Sequence, residues 1–154
     1  MKVQDIMTQP PQTCHPDTDL ALASRRMKET GYGTLAVMDH RGRLAGILTD
    51  RDLALAIGDT RREASRVSVD KAMTHHVHSC RPGDDLHAAL ELMASAKVRR
   101  LPVVDPGGDL KGIISIDDII LWGVQHGGVN MTELTTALRS ICSPRTAVVE
   151  VPEL

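Results

Sequence analysis

The chain has 154 residues and a mass of 16.7 kDa, with 42% hydrophobic and 25% charged side chains and a formal net charge of -2. That length and apolar content fit one globular domain, or two half-domains sharing a core, and exclude a chain disordered throughout. A mildly acidic balance with no Phe, one Trp and one Tyr argues against a dedicated nucleic-acid surface, which needs positive charge and stacking rings.

No apolar stretch approaches the ~20 residues that span a bilayer. The opening Met1-Lys2-Val3-Gln4-Asp5 lacks the apolar centre of a secretory signal. Cys14, Cys80 and Cys142 are odd in number and widely spaced, so reduced thiols and a cytoplasmic location are expected.

In chain order, an extended opening (Gln12-Thr13-Cys14) precedes a helix whose apolar face is Leu20, Leu22, Ala23 and Met27. Leu35 to Met38 and Leu44 to Leu48 flank the turn Asp39-His40-Arg41-Gly42, the pattern of a β-hairpin. A second helix opens at Thr49, and a polar stretch runs from Asp59 to Arg66. The same order then returns. It comprises an opening Val77 to Cys80, a helix with Leu86, Ala89, Leu90 and Met93, a hairpin of Leu101 to Val104 and Leu110 to Ile114, and a helix opening at Ser115. After the Gly127-Gly128 break, Thr132 is expected to cap a helix from Glu133 to Ile141, with Leu134, Leu138 and Ile141 on one stripe. Ala147-Val148-Val149 in the tail suits a strand. This extension has two open placements, on the pair's own surface or on a second subunit.

The return is a duplication. At an offset of 66 residues and without a gap, 17 of the 52 positions from Val3 to Ala54 are identical. Chance gives about three at roughly one match in sixteen. The pairs include Met7/Met73, Thr8/Thr74, Leu35/Leu101, Gly46/Gly112 and Asp52/Asp118. The expected fold is α+β, with two pseudo-twofold related β-α-β-β-α repeats packed through their sheets, plus a C-terminal helix. Its parts are repeat 1 at 1–60, a linker at 61–68, repeat 2 at 69–125 and an extension at 126–154. Neither repeat alone encloses a large core, so the two must bury their apolar faces together.

Met-Thr openings, Leu101-Pro102-Val103-Val104-Asp105 and the run Gly46-Ile47-Leu48-Thr49-Asp50-Arg51-Asp52, in this order and twice over, resemble a tandem pair of cystathionine-beta-synthase (CBS) domains, a Bateman module. The resemblance spans Val3 to Val124. It implies a regulatory sensor that binds AMP, ADP, ATP, S-adenosylmethionine or NAD between the repeats, with no obligatory cofactor. It also implies a homodimer of pairs that signals to a regulated protein.

A carboxylate can accept hydrogen bonds from both hydroxyls of a ribose. Asp52 and Asp118 lie one helical turn beyond Thr49 and Ser115, and a helix N-terminus adds N–H donors. By resemblance, Thr49 with Asp52 and Ser115 with Asp118 are the ribose-binding pairs. The same spacing is also a capping box that needs no ligand, and the two roles can coexist. The resemblance further implies an adenine slot formed by Gln12, Cys14, Tyr32, Gly33 and Ile47 in one copy and by His78, Cys80, Val98 and Ile113 in the other. Tyr32 could stack on a base or fill a domain edge. Arg99, Arg100 and Arg51 are the phosphate-binding candidates, and for the first two a solvated strand edge is the alternative. Asp117 stands at the position of Arg51 in the other copy and would repel a phosphate. One cleft, that of the first copy served by Arg99 and Arg100, is therefore expected to suit nucleotides better.

His76, His78 and Cys80 alternate and could share a strand face, but they lack the spacing of a dedicated zinc site, so no metal is expected. No Ser-His-Asp order, phosphate-cradling loop or His-Glu-x-x-His motif occurs. In larger members of the family the pair accompanies a separate catalytic domain, for which this chain has no room. Sensing by ligand binding, with a shift in how the repeats pack, is the leading reading. A dimerisation module with non-binding clefts is the alternative, and catalysis is not expected.

Overall fold

The computed structural model describes residues 1–59 and 61–144. Thr60 and the expected strand at Ala147-Val148-Val149 lie outside them. In the first repeat, β1 (Thr13–Cys14), α1 (Leu20–Thr30), β2 (Thr34–Met38), β3 (Leu44–Thr49) and α2 (Asp50–Asp59) follow one another. β1 runs parallel to β2, with Thr13 opposite Ala36, and β2 is antiparallel to β3, with Thr34 opposite Thr49 and Ala36 opposite Ile47.

The second repeat has α3 (Leu86–Ala96), β4 (Arg100–Val104), β5 (Leu110–Ser115) and α4 (Ile116–Asp118). Its opening strand shrinks to one parallel bridge between Cys80 and Val103. The last helix also differs from the first copy, since after Asp118 the chain passes into a π-helical turn, Ile119–Gly123. β4 and β5 pair antiparallel, with Arg100 opposite Ser115 and Pro102 opposite Ile113.

Local chemistry explains these elements. Asp19 and Asp85 sit outside the first turn of α1 and α3 and accept from Leu22 N (2.8 Å) and His87 N (3.1 Å), satisfying a free helix donor in each case. Asp39 folds the first hairpin by accepting from the backbone N–H of Arg41 and Arg43, each at 2.9 Å. These bonds, that from Arg43 foremost, hold its carboxyl below the usual range. Asp105 does the same for the second hairpin through Asp109 N (2.9 Å), and the Lys111 ammonium at 2.9 Å is the main cause of its lowered pKa.

Of the expected helix faces, Leu20, Ala23 and Met27 are buried, as are Leu86, Ala89, Leu90 and Met93. Leu22 is 45% exposed. It stands two residues from Leu20, and such positions do not share a helix face. The cap of the last helix also moves. Asn130 N donates to Glu133 Oε2 at 3.0 Å and Glu133 N donates to Asn130 Oδ1 at 2.9 Å, so α5 (Met131–Cys142) starts before Thr132. Leu134, Ala137 and Ile141 bury this helix against the second repeat of its own chain.

The two Met-Thr segments are exchanged. Val3 and Gln4 donate to Asp84 and Pro82 of the second repeat (3.0 Å each), while Val69 and Asp70 donate to Thr18 and Pro16 of the first (2.7 and 3.0 Å). Val3 is accordingly buried in the second core and Val69 in the first. Further on, Thr8 and Ile113 exchange backbone bonds at 2.9 and 3.1 Å, and Ile47 and Thr74 do so at 3.0 and 2.9 Å. Gly112 and Gly46 permit this approach, because a Cβ there would lie 2.8 Å from the carbonyl oxygen of Thr8 or Thr74. Burying each valine contributes about 1.5–3 kcal/mol, so each repeat is stabilised by a segment that precedes the other.

Candidate functional site

Each candidate acid is built into a strand-to-helix corner. At the end of β5, Ser115 N and Ser115 Oγ donate to Asp118 Oδ2 at 2.8 and 2.6 Å, and Asp118 N donates back to Ser115 Oγ at 3.1 Å. Thr49 and Asp52 repeat the arrangement at 2.8, 2.7 and 3.2 Å. The capping box is therefore formed in both copies. It occupies one oxygen of each carboxylate, and Oδ1 of Asp52 and of Asp118 has no partner among the described residues. Capping and binding use different atoms, so one does not exclude the other.

The two corners differ in what faces them. A cleft of about 270 Å³ is lined by Gln12, Tyr32, Gly33 and Thr34 of the first repeat together with Arg100, Ile113, Ser115 and Asp118 of the second. Thr8, Pro11, Gly31 and Asp117 complete it. The cleft is composite because the exchanged Thr8 segment ties β5 to the chain that leads into β1. Its size is near the lower end of the roughly 300–1,000 Å³ of small-molecule sites. A more open groove of about 430 Å³, beside Trp122 and His126, contains none of the candidate residues.

The structure thus brings together Gln12, Tyr32, Gly33, Ile113, Ser115, Asp118 and Arg100. Thr49, Asp52, Ile47, Arg51, His78, Val98 and Arg99 do not line this cleft. The base-side residues Gln12, Tyr32 and Gly33 of the first copy thus line one cleft with Asp118, the acid of the second. Arg99 is turned toward the C-terminal helix, where Nη2 lies 3.7 Å from Cys142 Sγ.

The side chains of Cys14 and Cys80 turn away from this cleft. They are 3% and 5% exposed and belong to the two hydrophobic cores. Burial pushes the Cys14 thiol up to about 11, against a smaller lowering by Arg26, and the Cys80 thiol up to about 12, with Asp84 adding to the rise. Both stay protonated at neutral pH, and neither is disulfide-bonded. Among the described residues, no group of three or more His, Cys, Asp or Glu is placed to hold a metal ion.

Sequence reasoning missed Thr8 and Pro11 and did not single out Thr34. Thr34 carried a usable signal, because it is a polar residue at the head of an otherwise apolar strand. It is 4% exposed, yet its hydroxyl has no hydrogen-bond partner among the described residues. A hydroxyl left in that state costs about 1–3 kcal/mol.

A family model described as the CBS domain matches residues 3–59 and 67–124. The chain belongs to the CBS-domain family. This CBS pair is 35% identical over 117 residues to the CBS domain-containing protein YhcV of Bacillus subtilis, covering 76% of the chain and 81% of that protein. Its fold superposes on the CBS pair of protein MJ0100 with a TM-score of 0.73 at 25% identity, over 81% of the chain and 98% of that structure. The MJ0100 pair was solved with 5'-methylthioadenosine and S-adenosyl-L-methionine. CBSX2, solved with AMP, superposes with a TM-score of 0.69 at 31% identity, over 80% and 96% of the two chains. Members similar to this CBS pair therefore hold adenosine-containing ligands. No helix among its described residues is long and apolar enough to cross a membrane.

Proposed function

We propose that this CBS pair is a regulatory module that binds an adenosine-containing ligand in the composite cleft and acts by binding, without catalysis. The observation that carries the reading is the meeting, in one cleft, of the apolar, ring-bearing residues Pro11 and Tyr32 of the first repeat with Asp118 of the second, whose Oδ1 is free. Tyr32 is 47% exposed, so its ring is open to a planar base, with Gln12 beside it to pair a polar edge. Asp118 grips the ribose while continuing to cap α4. The ligand then spans both repeats and favours the arrangement that brings the walls together. A tenfold bias needs a difference of about 1.4 kcal/mol between the two arrangements.

Charge selects among adenosine ligands. Asp117 and Asp118 give this cleft two carboxylates against the one guanidinium of Arg100. That balance favours neutral or cationic 5' groups, as in methylthioadenosine or S-adenosylmethionine, over triphosphates. AMP remains the alternative through Arg100. The buried free thiols support a cytoplasmic location. Leu55 on α2 and Leu121, its mate in the repeat, are 58% and 61% exposed and suit an isologous contact with a second copy; sedimentation as a monomer at all concentrations would remove that dimer.

The test of the function is calorimetric titration with methylthioadenosine, S-adenosylmethionine, AMP, ADP, ATP and NAD. The reading requires saturable binding of at least one of them, with ATP weaker than methylthioadenosine. Absence of binding to all six would leave the dimerisation module as the better account.

A further inference from the structure

The repeats differ at the turn that leads from the first helix of each into its hairpin. The first copy turns on Gly31, Tyr32 and Gly33, and the second, 66 residues on, carries Lys97, Val98 and Arg99. The backbone conformation is shared, with φ at 73° for Gly31 and 53° for Lys97. Glycine adopts it freely and lysine does not. Lys97 is the one non-glycine residue with positive φ among the described residues. A local rule broken in one copy alone points to a use for the side chain. That use is visible at α5, which packs along α3 and ends over this turn. Lys97 Nζ donates to Pro144 O at 3.5 Å, Arg99 Nη2 to Cys142 Sγ at 3.7 Å, and Ser140 Oγ to Ala94 O at 2.9 Å. The next residue along the chain is Arg100, which lines the composite cleft.

We propose that the C-terminal end of α5 positions Arg100 for the 5' phosphate of a nucleotide, acting through Lys97 and Arg99. This assignment rests on the adenosine reading above, and it makes α5, which lies outside the duplication, part of the ligand-binding device. Side chains alternate along a strand, so Arg100 is directed away from the second core that Leu101 and Val103 enter. The ladder to Ser115 fixes its backbone on one side, and Arg99 O accepts from Ile116 N at 2.9 Å. The three bonds to α5 hold the turn on the other side. A guanidinium on a fixed strand end loses less freedom on meeting a phosphate than one on a loose end. Lys97 and Arg99 do not line the cleft, so they are positioning residues. Methylthioadenosine has a neutral 5' group that makes no use of Arg100, so only a phosphorylated ligand should feel the tie to α5.

The test uses the full-length double variant Lys97→Gly, Arg99→Met, which gives the turn the glycine of the first copy and removes the bonds of both cations to α5. AMP and methylthioadenosine are titrated calorimetrically into it, into Arg100→Met and into the triple variant. The double variant should bind AMP about fivefold more weakly and methylthioadenosine within about twofold of wild type. Arg100→Met should weaken AMP at least about tenfold. The triple variant should bind AMP no more weakly than Arg100→Met, because the tie acts only through Arg100. Three results would overturn the assignment: unchanged AMP affinity in the double variant, equal losses for the two ligands (the mark of a structural role), or additive losses in the triple variant (the mark of cations acting on the phosphate directly). A wild type that binds methylthioadenosine but not AMP would overturn it too and leave the adenosine reading standing. One that binds neither would remove both.

Discussion

Asp118→Asn separates the two roles of the second-repeat acid. In the unliganded protein the asparagine carbonyl oxygen can still accept from Ser115 N and Ser115 Oγ, which now reach Asp118 Oδ2 at 2.8 and 2.6 Å. Only the charge assistance is lost, worth about 1 kcal/mol, or about 2–4 °C for a chain of this size. Toward a ribose the change is larger, because one of two charge-assisted acceptors disappears. A loss of about 1.5–3 kcal/mol weakens binding roughly 10- to 150-fold. At 100 times the dissociation constant, ligand adds about 2.7 kcal/mol to the wild type, a rise of about 5–10 °C. At the same concentration, a 100-fold weaker variant gains only about 0.4 kcal/mol and about 1 °C. Asp52→Asn is the control, because Asp52 makes the same cap with Thr49 but does not line the cleft. It should show the same small fall in unliganded stability and a full ligand response. Thermal denaturation with and without methylthioadenosine reads both quantities. Equal ligand responses in the two variants would refute the composite cleft.

Gly112→Ala places a Cβ 2.8 Å from both Thr8 O and Met7 Sδ. It should cost about 1–3 kcal/mol, measured as a lower midpoint in urea; an unchanged midpoint would mean that the exchanged segment is not held against β5. The buried thiols make stability fall in alkali. Their folded pKa values are raised from the usual 9.0 to about 11 and 12, so the unfolded chain releases these protons first. Stability is intact below pH 9 and declines above it, by at most about 1.4 kcal/mol per pH unit for each thiol. Melting temperatures from pH 8 to 11 should fall less steeply in the Cys14→Ala, Cys80→Ala double variant than in the wild type. Parallel curves would contradict the burial of the thiols.

Much of this architecture was legible before any coordinates. The 66-residue repeat and its hydrophobic pattern marked out both hairpins and the faces of α1 and α3, because local periodicity is what a core imposes on a chain. A repeat alignment, however, says which residues are equivalent and not which are adjacent. It paired Thr8 with Thr74 but gave no sign that each lies against the other repeat. For the same reason it listed Gln12 and Tyr32 as slot residues of the first copy without showing that they line one cleft with Asp118 of the second. Thr49-x-x-Asp52 and Ser115-x-x-Asp118 were readable as caps because capping is local. That only one of these acids lines the composite cleft depends on contacts more than 80 residues apart, such as Tyr32 to Asp118 across one cleft. The thiols were misplaced for a related reason, since in a two-residue strand no alternation shows which side faces the core.

The most direct measurement is the crystal structure of the protein with methylthioadenosine bound. The account predicts the ribose hydroxyls on Asp118, the base against Tyr32, and Arg100 at the 5' end. A nucleoside seated instead beside Thr49 and Asp52, or in the groove next to Trp122, would contradict it.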